Sequence, residues 1–336
     1  MIKIDIILPY KELFSPNGAS AVSISVNNSI KFSKFKSYIN VYGQFVREPF
    51  DSCDFIGFKS NKFKHFSNNL SIIKQYLSKT KNDNLNKIIE IHNRPYLFNY
   101  LLKKNIKHCL ILYFHNDPLS MKGSKSIEER LRILKNASGI VFVSNFLKDK
   151  FFEGIDQSFN NIFIIPNSLD KNLKVKNIKK INQVLYVGRI VEEKGVEIYA
   201  NVVKKLSKKY KDWQFLIIGS TKLGYKSKSS FEKKIIKIVD QSGDNFKNLG
   251  YITNESTKNI MSKSNILVIP SKWEEPFGIT AIEGLANKMM IISAEVGGLT
   301  EIILDKGILI KEIDEIKLEK KLEYLIKNPE KIKKYQ

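Results

Sequence analysis

The stretch from Pro270 to Glu301 reads PSKWEEPFGITAIEGLANKMMIISAEVGGLTE and follows an apolar run, Ile266 to Ile269, that predicts a buried strand. Pro276 predicts the start of a helix, because the fixed φ of proline suits the first helical position, and Glu275 would then be the cap. Amides in the first turn have no partner inside the helix, and together with the positive end of the helix dipole they can bind an anion such as a phosphate. These amides belong to Phe277, Gly278 and Ile279. The stretch therefore predicts a strand, an anion-binding loop and a helix.

Glu283 is the second acid of interest in this stretch. It follows Glu275 by eight residues, which corresponds to about 12 Å along the axis of the predicted helix. Its neighbours on a helix would be apolar, namely Ile279, Ala286 and Met290. Because an unpaired buried carboxylate is costly, we expect a partner for Glu283. A solvated glutamate on an exposed helix is the alternative.

The length and composition of the chain predict two domains. At 336 residues the chain exceeds what one core usually spans, and a hydrophobic content of 43% allows two cores. No apolar run reaches the roughly 18 residues of a membrane span, and the start, MIKIDIILPYKE, is a strand pattern and not a signal peptide. Cys53 and Cys109 have neither a metal-type spacing nor a disulfide framework, which suits a reducing compartment. We therefore expect a cytoplasmic protein with two structural cysteines.

The formal charge of +22 indicates an anionic partner, such as nucleic acid, a phospholipid surface or a phosphorylated substrate. Part of this charge could be solvated surface, because lysine, isoleucine and asparagine are enriched together. Lysines and aromatic residues alternate from Lys31 to Phe66. That pattern predicts contact with an anionic membrane surface. Single-stranded nucleic acid and ordinary amphipathic packing are alternatives.

Short apolar runs alternate with amphipathic segments, which predicts parallel sheets with helices on both faces. The first series of predicted strands is Ile2 to Leu8, Ile39 to Tyr42, Ile88 to Ile91, Leu110 to Phe114, Ile140 to Val143 and Ile162 to Ile165. The polar, lysine-rich stretch from Asp170 to Gln183 then predicts the connection between two domains. The second series is Val184 to Val187, Phe215 to Ile218, Phe246 to Leu249, Ile266 to Ile269, Met290 to Ser293 and Gly307 to Ile310. Ligands of such sheets bind beyond the carboxyl ends of the strands, where site residues are expected.

Several strand ends in the first half carry candidate site residues. Gly18, in a strand-to-helix turn, could bring backbone amides against a phosphate. His92 and His115 each end a strand, and each is followed by an asparagine and, three residues on, by a proline, which favours residues that line a site. Further candidates at these strand ends are Asn17, Asn93, Arg94, Asn116 and Asn145. The absence of a G-x-G-x-x-G or Walker-type motif argues against a dinucleotide oxidoreductase or a P-loop nucleotidase.

In the second half, Arg189 and Lys194 lie in a strand-to-helix loop and could converge on one anion. Surface ion pairs with Glu192 or Glu193 would explain these two cations equally well. The other strand-end candidates are Gly188, Gly219, Gly250, Tyr251 and Ile252. The loop containing the last three could hold a flat base by stacking and backbone hydrogen bonds.

The order and spacing of these motifs resemble those of the retaining, nucleotide-sugar-dependent glycosyltransferases of family 4. The resemblance covers nearly the whole chain and rests on Asn17 and Gly18, VSNF, IPNSLD, VGR with EKG, LGYI, PSKWEEPFG, the pair of glutamates eight residues apart, and GGLTEI. The fragments FSPNGA, EIHNRP and YFHNDPLSM are similar to a bacterial subgroup of lipopolysaccharide core glycosyltransferases.

This resemblance implies the α/β fold called GT-B, in which two doubly wound, Rossmann-like domains face each other across a cleft. Residues 1–175 would bind the acceptor and residues 176–336 the nucleotide-sugar donor. Family members commonly continue with a helix that crosses back to the first domain, and nothing in the chain up to Gln336 matches it. We therefore expect a shortened form or a different closure.

The resemblance also implies roles for residues of the second domain. Arg189 and Lys194 match the cations that bind the pyrophosphate and stabilise the departing nucleoside diphosphate. Glu275 matches the acid that binds hydroxyls of the donor sugar, beside the amides of Phe277, Gly278 and Ile279. Glu283 matches the acid that holds the ribose hydroxyls, which would give this carboxylate its partner.

In the first domain, Gly18 fits the loop that closes over the β-phosphate, although the usual paired glycine is here replaced by Ala19. His115 matches the histidine beside the transferred sugar. As the diphosphate leaves, negative charge builds on it, and fixed cations and helix amides lower the barrier. The implied same-face reaction needs no metal or other cofactor, in agreement with the lack of a D-x-D motif.

The function implied is transfer of a hexosyl or N-acetylhexosaminyl group from a UDP-sugar to a lipopolysaccharide core or related membrane-associated glycan. The protein would work in the cytoplasm, with a peripheral contact to the inner face of the membrane and no nucleic-acid partner. A nucleotide-sugar epimerase or hydrolase with the same fold is the alternative. A non-catalytic basic protein that binds membrane or nucleic acid is a further one.

Overall fold

The computed structural model describes residues 2–59, 67–83, 85–104, 106, 108–169, 178–221 and 228–334. The chain divides into two compact units, Met1–Lys171 and Asn172–Gln336. The predicted domain boundary between residues 175 and 176 lies outside the described residues, as does much of the connection predicted from Asp170 to Gln183. Residues 181–183 of that connection belong instead to a strand. Gln183 can lie in the sheet because its side chain exchanges hydrogen bonds of 2.7 Å with Gln214 and Ser264.

The first unit contains one parallel sheet of seven strands in the order β3-β2-β1-β4-β5-β6-β7. The strands are β1 (Ile2–Ile7), β2 (Ile39–Gln44), β3 (Asp54–Phe58), β4 (Asn86–His92), β5 (Cys109–Phe114), β6 (Gly139–Phe142) and β7 (Ile162–Ile164). All of them except β3 are predicted by their apolar runs. In β3, DFIGF, an aspartate and a glycine interrupt the run. The parallel sheet brings the carboxyl ends of all these strands to one edge.

The helices among the described residues of this unit are α1 (Ala21–Lys31), α2 (Asn68–Lys79), α3 (Pro95–Leu102), α4 (Ile127–Asn136) and α5 (Asn145–Phe152). A serine hydroxyl accepts a backbone N–H at the start of α1, α2, α4 and α5, which satisfies a donor that has no partner in the helix. The helix after the turn that contains Gly18 begins at Ala21, where Ser20 provides the cap.

The second unit contains a parallel sheet of six strands in the order β10-β9-β8-β11-β12-β13. The strands are β8 (Ile181–Val187), β9 (Gln214–Ile218), β10 (Phe246–Asn248), β11 (Ser264–Ile269), β12 (Met290–Ala294) and β13 (Gly307–Ile310). The helices are α6 (Val196–Lys209), α7 (Ser230–Asp240), α8 (Asn254–Lys263), α9 (Ile279–Ala286), α10 (Leu299–Ile303), α11 (Glu315–Lys327) and α12 (Pro329–Lys333). Each strand of this sheet overlaps a predicted strand, although β10, FKN, is not an apolar run.

Apolar side chains fill both faces of the second sheet. One cluster includes Tyr199 of α6 and Leu322 of α11, packed on Phe215 of β9. The opposite cluster includes Ala281 of α9, packed with Leu267 of β11. Burial on both faces explains why these strands are almost continuously apolar in sequence.

A buried ionic network joins β1 and β4 in the first unit. The ammonium group of Lys87 lies 3.1 Å from the Asp5 carboxylate, and their side chains are 2% and 0% exposed. Tyr76 and Asn40 donate to the same carboxylate at 2.9 and 3.1 Å. Because breaking such a pair leaves an unpaired buried charge, the network holds these two strands firmly together.

None of the helices in the described ranges combines the length and apolar composition needed to span a bilayer. Cys53 and Cys109 are free thiols. In each sheet the strand order reverses at one place, between β1 and β4 and between β8 and β11. Loops that leave the carboxyl ends of such neighbouring strands diverge and open a crevice, which is where ligands of doubly wound sheets bind.

Candidate active site

The loop after β8 and the loop after β11 are joined at the reversal point of the second sheet. The amides of Lys272 and Trp273 donate to the carbonyl oxygen of Glu193 at 2.9 and 3.1 Å. Gly195, with a φ of +65°, approaches the other loop so closely that a Cβ would lie 1.7 Å from the Pro270 oxygen. Only glycine fits this position, and the contact places the side chains of the two loops side by side.

Lys194 and Glu275 meet at this junction, although 81 positions separate them. The Lys194 ammonium lies 2.5 Å from the Glu275 carboxylate, and the two side chains are 22% and 12% exposed. Ser271 donates to the same carboxylate oxygen at 2.9 Å. We call Lys194, Ser271 and Glu275 the Lys194 cluster. It combines a cation and an acid that solvent can still reach.

Arg189, by contrast, extends into solvent. Its guanidinium lies 3.5 Å from the carboxylate of Glu193, one turn further along the chain. Arg189 and Lys194 are thus each paired with a different carboxylate. The pair of Arg189 with Glu193 is the surface ion pair that the sequence leaves open as an alternative, and an exposed pair of this kind is weak.

The helix predicted to begin at Pro276 begins instead at Ile279, after Gly278 with a φ of +112°. Glu275 is therefore not its cap. The backbone of residues 275–276 packs tightly on Gly297 and Gly298, and the Gly298 amide donates to the Glu275 oxygen at 2.7 Å. This contact holds the loop out of the helix.

The amides of the first turn consequently begin at Ile279, whereas Phe277 and Gly278 precede the helix. The first intrahelical hydrogen bond of α9 runs from the Ala281 amide to the Gly278 oxygen at 2.9 Å. The N–H groups of Ile279 and Thr280 precede it, so they take the place that was predicted for Phe277 and Gly278. Phe277 is buried and packs its ring into the unit.

Glu283 lies on α9, as predicted, but Glu275 does not share that helix, so the expected 12 Å along one axis does not apply. Ala286 ends the helix, and Met290 already belongs to β12. Within the described residues, no side chain or amide forms a hydrogen bond or ion pair with the Glu283 carboxylate. Burial raises the pKa of this carboxyl, and the positive charge of Lys258 partly opposes the effect. A half-buried acid without a protein partner can accept hydroxyl donors from a ligand.

Three predicted glycines come together beside these loops. The Gly188 amide donates to the Ile218 oxygen at 3.0 Å, and the Gly219 amide donates to the Gly250 oxygen at 2.8 Å. Gly219 is in van der Waals contact with Gly188, since a Cβ on Gly219 would lie 1.9 Å from its oxygen. The following residues, Tyr251 and Ile252, are exposed and half-buried.

A pocket of about 240 Å³ lies next to Gly250 and extends along α7. It is lined by Lys228, Glu232, Ile236, Val239, Asp240, Asn248, Leu249 and Gly250. The lining mixes apolar side chains with charges of both signs. In the described part of the chain, no three histidine, cysteine or carboxylate side chains converge in the manner of metal ligands.

In the first unit, the ends of β4 and β5 bring the predicted His92, Asn93, His115 and Asn116 together. His92 Nδ1 lies 2.8 Å from His115 Nε2. Asn93, held in the left-handed region at a φ of +53°, accepts the amides of His115 and Asn116 at 2.7 and 3.2 Å. Arg94 folds back and donates to the Asn93 oxygen at 2.6 Å.

The remaining candidates of the first unit are Asn17, Gly18 and Asn145. Asn17 donates to Glu48 at 2.9 Å, and Gly18 is exposed with a φ of +80°. Asn145 is the exposed first residue of α5. All three follow carboxyl ends of strands, which agrees with their predicted placement but not with a shared contact.

Two residues outside the predicted set belong to these arrangements. Ser271 holds Glu275, and its position four residues earlier in PSKWEE is a signal that was available in the sequence. Glu90 lies two residues before His92 on β4, and its carboxylate is 3.8 Å from His92 Nε2. Because strand residues two apart share a face, the pattern E-x-H could have indicated this pair.

Residues 169–336 match the family described as glycosyl transferases group 1. An uncharacterized glycosyltransferase of Methanocaldococcus jannaschii, MJ1178, is 31% identical over 231 residues, which are 68% of this chain and 61% of the relative. The lipopolysaccharide 1,2-N-acetylglucosaminetransferase of Salmonella typhimurium is 25% identical over 230 residues, 65% of this chain and 57% of the relative. These alignments span somewhat over half the length of the relatives.

Among solved structures, Anabaena Alr3699/HepE in complex with UDP and glucose superposes with a TM-score of 0.73. The superposition covers 99% of this chain and 92% of that chain, at 15% sequence identity. At this level of identity the likeness concerns the fold, and the two parallel α/β sheets are those of a GT-B protein.

Proposed function

Because the chain belongs to the glycosyl transferases group 1 family, we propose that it transfers a sugar from a UDP-sugar to a glycan acceptor. The sugar would be a hexosyl or N-acetylhexosaminyl group, and the acceptor a lipopolysaccharide core or related membrane-associated glycan. The observation that carries the proposal is the Lys194 cluster at the reversal point of the second sheet. Its partly exposed cation and acid suit a diphosphate and a sugar hydroxyl.

The geometry supports a division of roles in the second unit. Lys194 and Glu275 form an ion pair at 2.5 Å. A diphosphate would draw the ammonium group away and leave the Glu275 carboxylate to accept sugar hydroxyls, with Ser271 keeping it oriented. Arg189, exposed beside this loop, could then reach the same diphosphate. The N–H groups at the start of α9 add positive potential.

Glu283 suits the ribose. Its carboxylate is half-buried and has no partner among the described residues, so two ribose hydroxyls would satisfy it. Burial raises the pKa of its carboxyl, so hydroxyl donors from a ribose would stabilise the ionised form. The base would lie near Gly250 and Tyr251, where the Gly250 backbone is open.

The proposed reaction stabilises the departing diphosphate without a metal. As the bond between the sugar and the phosphate breaks, negative charge grows on the diphosphate while the sugar becomes oxocarbenium-like. Lys194, Arg189 and the α9 amides would oppose that charge. The leaving phosphate would accept the proton of the acceptor hydroxyl on the same face, so the anomeric configuration is retained.

The name of one relative and the ligands of one solved structure support the proposed substrates. The Salmonella typhimurium relative is named for transfer of N-acetylglucosamine to lipopolysaccharide, and the Anabaena protein holds UDP and glucose in its crystal structure. The test is incubation with a panel of UDP-sugars, with and without core oligosaccharide. Transfer of one sugar with retained configuration is expected. Hydrolysis or epimerisation alone, with no acceptor product, would instead favour the epimerase or hydrolase alternative.

We further propose that the first unit contacts anionic lipid through residues 31–38. Phe32, Phe35 and Tyr38 are 40%, 61% and 39% exposed. Lysines are interleaved with them, and no acidic residue occurs between Glu12 and Glu48. Such a surface favours an anionic bilayer. The rest of the stretch predicted for this contact includes residues 60–66, which lie outside the described residues.

This surface follows α1 and precedes β2, so it lies at the amino ends of the strands. The candidate site residues lie at their carboxyl ends, a strand length of roughly 20 Å away. The contact would therefore anchor the unit and not line the site. Replacement of Phe32, Phe35 and Tyr38 by serine should abolish sedimentation with phosphatidylglycerol vesicles but leave UDP binding unchanged. Equal sedimentation of the variant and the wild type would refute the contact.

A further inference from the structure

A chain of polar side chains runs behind the carboxyl edge of the first sheet. It consists of Glu90 and His92 on β4, His115 after β5, and Asn167 after β7, and we call it the histidine chain. His92 Nδ1 lies 2.8 Å from His115 Nε2, and the side chain of His115 also hydrogen-bonds Asn167. Ser25 of α1 donates to Asn167 Oδ1 at 2.8 Å. His92 is 2% exposed and His115 9% exposed.

The contact between the two rings constrains where their protons are. A neutral imidazole has one N–H donor and one nitrogen acceptor. At 2.8 Å one ring must donate and the other accept, so the proton position on His92 determines the proton position on His115. The contact with His92 uses His115 Nε2, which leaves Nδ1 for Asn167.

The remaining nitrogen of His92 is the unusual atom of the chain. His92 Nε2 is shut off from solvent and has no hydrogen-bond partner among the described residues. The nearest acidic atom is Oε2 of Glu90, at 3.8 Å, which is within reach after a small side-chain rotation. Because an unpartnered buried nitrogen is costly, a shared proton between these groups is favoured.

Two hydrogen-bonding arrangements satisfy the whole chain. When Glu90 is protonated, it donates to His92 Nε2, His92 Nδ1–H donates to His115 Nε2, and His115 Nδ1–H donates to the Asn167 oxygen. When Glu90 is ionised, His92 Nε2–H donates to the carboxylate and His115 Nε2–H donates to His92 Nδ1. His115 Nδ1 then accepts from the Asn167 amide. The two arrangements differ by one proton. The Glu90 proton moves to His92 Nε2, the His92 Nδ1 proton moves to His115 Nε2, and the His115 Nδ1 proton is released to solvent.

We infer that Glu90, acting through His92, determines which ring nitrogen of His115 carries the proton. Glu90 and His92 are thus positioning residues for His115. The inference rests on the proposed function in one respect, because a role for His115 in sugar transfer is what the family resemblance implies. Its consequence is that the tautomer of His115, and with it the group of Asn167 that hydrogen-bonds the ring, depends on pH.

Burial of the surrounding groups supports this switch. It raises the pKa of the Glu90 carboxyl to about 7 and lowers the pKa of His92 to about 3. Burial, and then the neighbouring His92, hold the pKa of His115 well below its ordinary value. Both rings therefore stay neutral near pH 7, and the carboxyl is the group that titrates there.

Among the described residues, Tyr113 is an ionisable group that contacts the histidine chain. Tyr113 stacks on His92 from β5, with ring centroids 4.5 Å apart, and burial and then Glu90 raise its pKa. On α1, which contacts Asn167 through Ser25, the only charged residue is Lys31 at its end. The segment from β7 to residue 169 contains no acidic or basic residue.

The test follows the ring nitrogens of the full-length protein by NMR with ¹⁵N-labelled histidine between about pH 5.5 and 8.5. In the wild type, the protons of His92 and His115 should move between Nδ1 and Nε2 with a midpoint near the pKa of about 7 for Glu90. The isosteric variant Glu90→Gln should hold one arrangement throughout. The variant Glu153→Gln, at an exposed residue, is the matched control. The resonances of His108 should stay the same in both variants.

An unchanged tautomer of both rings across this range in the wild type would overturn the inference, and this outcome needs no variant. A titration in Glu90→Gln identical to that of the wild type would overturn it as well. A second readout is the pH profile of kcat/KM for sugar transfer, whose inflection near 7 should disappear in Glu90→Gln. If the NMR titration occurs but no sugar is transferred, the proposed function fails and the histidine chain stands.

Discussion

Replacement of Glu90 by glutamine should stabilise the first unit at alkaline pH but not at acidic pH. In the folded protein, burial raises the pKa of the carboxyl from an ordinary 4.5 to about 7. Between these values the folded protein keeps a proton that the unfolded chain has lost, so the wild type loses stability as pH rises. At about 1.4 kcal/mol per pH unit, the loss above pH 7 is roughly 3 kcal/mol. Glutamine cannot ionise and avoids it.

Thermal unfolding of both proteins by circular dichroism at about pH 5 and pH 8 measures this difference. For a unit the size of Met1–Lys171, about 3 kcal/mol corresponds to roughly 5–12 °C in Tm. The variant should unfold at the higher temperature at pH 8, and the two should nearly coincide at pH 5, because other ionisable groups affect both proteins equally. A variant that is less stable than the wild type at pH 8 would refute the assigned burial cost.

Three further substitutions have definite expected outcomes. Lys87→Met should lower the free energy of unfolding by about 3–5 kcal/mol, because Asp5 stays buried without its cation; urea denaturation measures this, and a loss below about 1 kcal/mol would contradict it. Gly195→Ala should cost more stability than Gly250→Ala, because both have a φ of +65° but only the first meets another loop; equal losses of Tm would show that the contact between loops is unimportant. Glu283→Gln should raise the free energy of unfolding by about 1 kcal/mol in urea denaturation, because it removes an unpaired charge. The same variant should bind UDP tenfold or more weakly in calorimetry. A variant less stable than the wild type would show that the Glu283 carboxylate has a partner in the protein.

Strands were the most predictable elements, for a physical reason. A parallel strand covered on both faces must be almost wholly apolar, so apolar runs such as Ile266 to Ile269 can be recognised as strands in the sequence. β3 was not apparent, because three of its five residues are only half-buried and Asp54 is exposed. An edge strand has less need for a continuous apolar run.

The start of α9 was mispredicted because a tertiary contact outweighs a local preference. Proline favours the first position of a helix, but the backbone of residues 275–276 is held by Gly297 and Gly298 from a later loop. The pair of glycines can be seen in the sequence, but the sequence does not show which segment the pair contacts. As a consequence, Glu275 turns to Lys194 and does not cap the helix.

Which site residues lie close together depends on the order of the strands in the sheet, and the sequence does not give that order. Lys194 meets Glu275 because β8 pairs with β11, and sequence spacing does not contain that information. His92 likewise meets His115 because the register pairs His92 with Tyr113. Residue types at strand ends indicated the site, and the sheet topology decided which of them make contact.

Calorimetric titration with UDP tests most directly whether the Lys194 cluster and Glu283 form a site for a UDP-sugar donor. The wild type should bind UDP, and Lys194→Ala and Glu283→Ala should each bind at least about tenfold more weakly, since a hydrogen bond to a charged group contributes roughly 1.5–3 kcal/mol. The exposed Glu255→Gln, on α8, should bind as the wild type does, and circular dichroism should show all variants folded. Wild-type affinity in both alanine variants, or no UDP binding by a folded wild type that binds duplex DNA tightly, would contradict the claim.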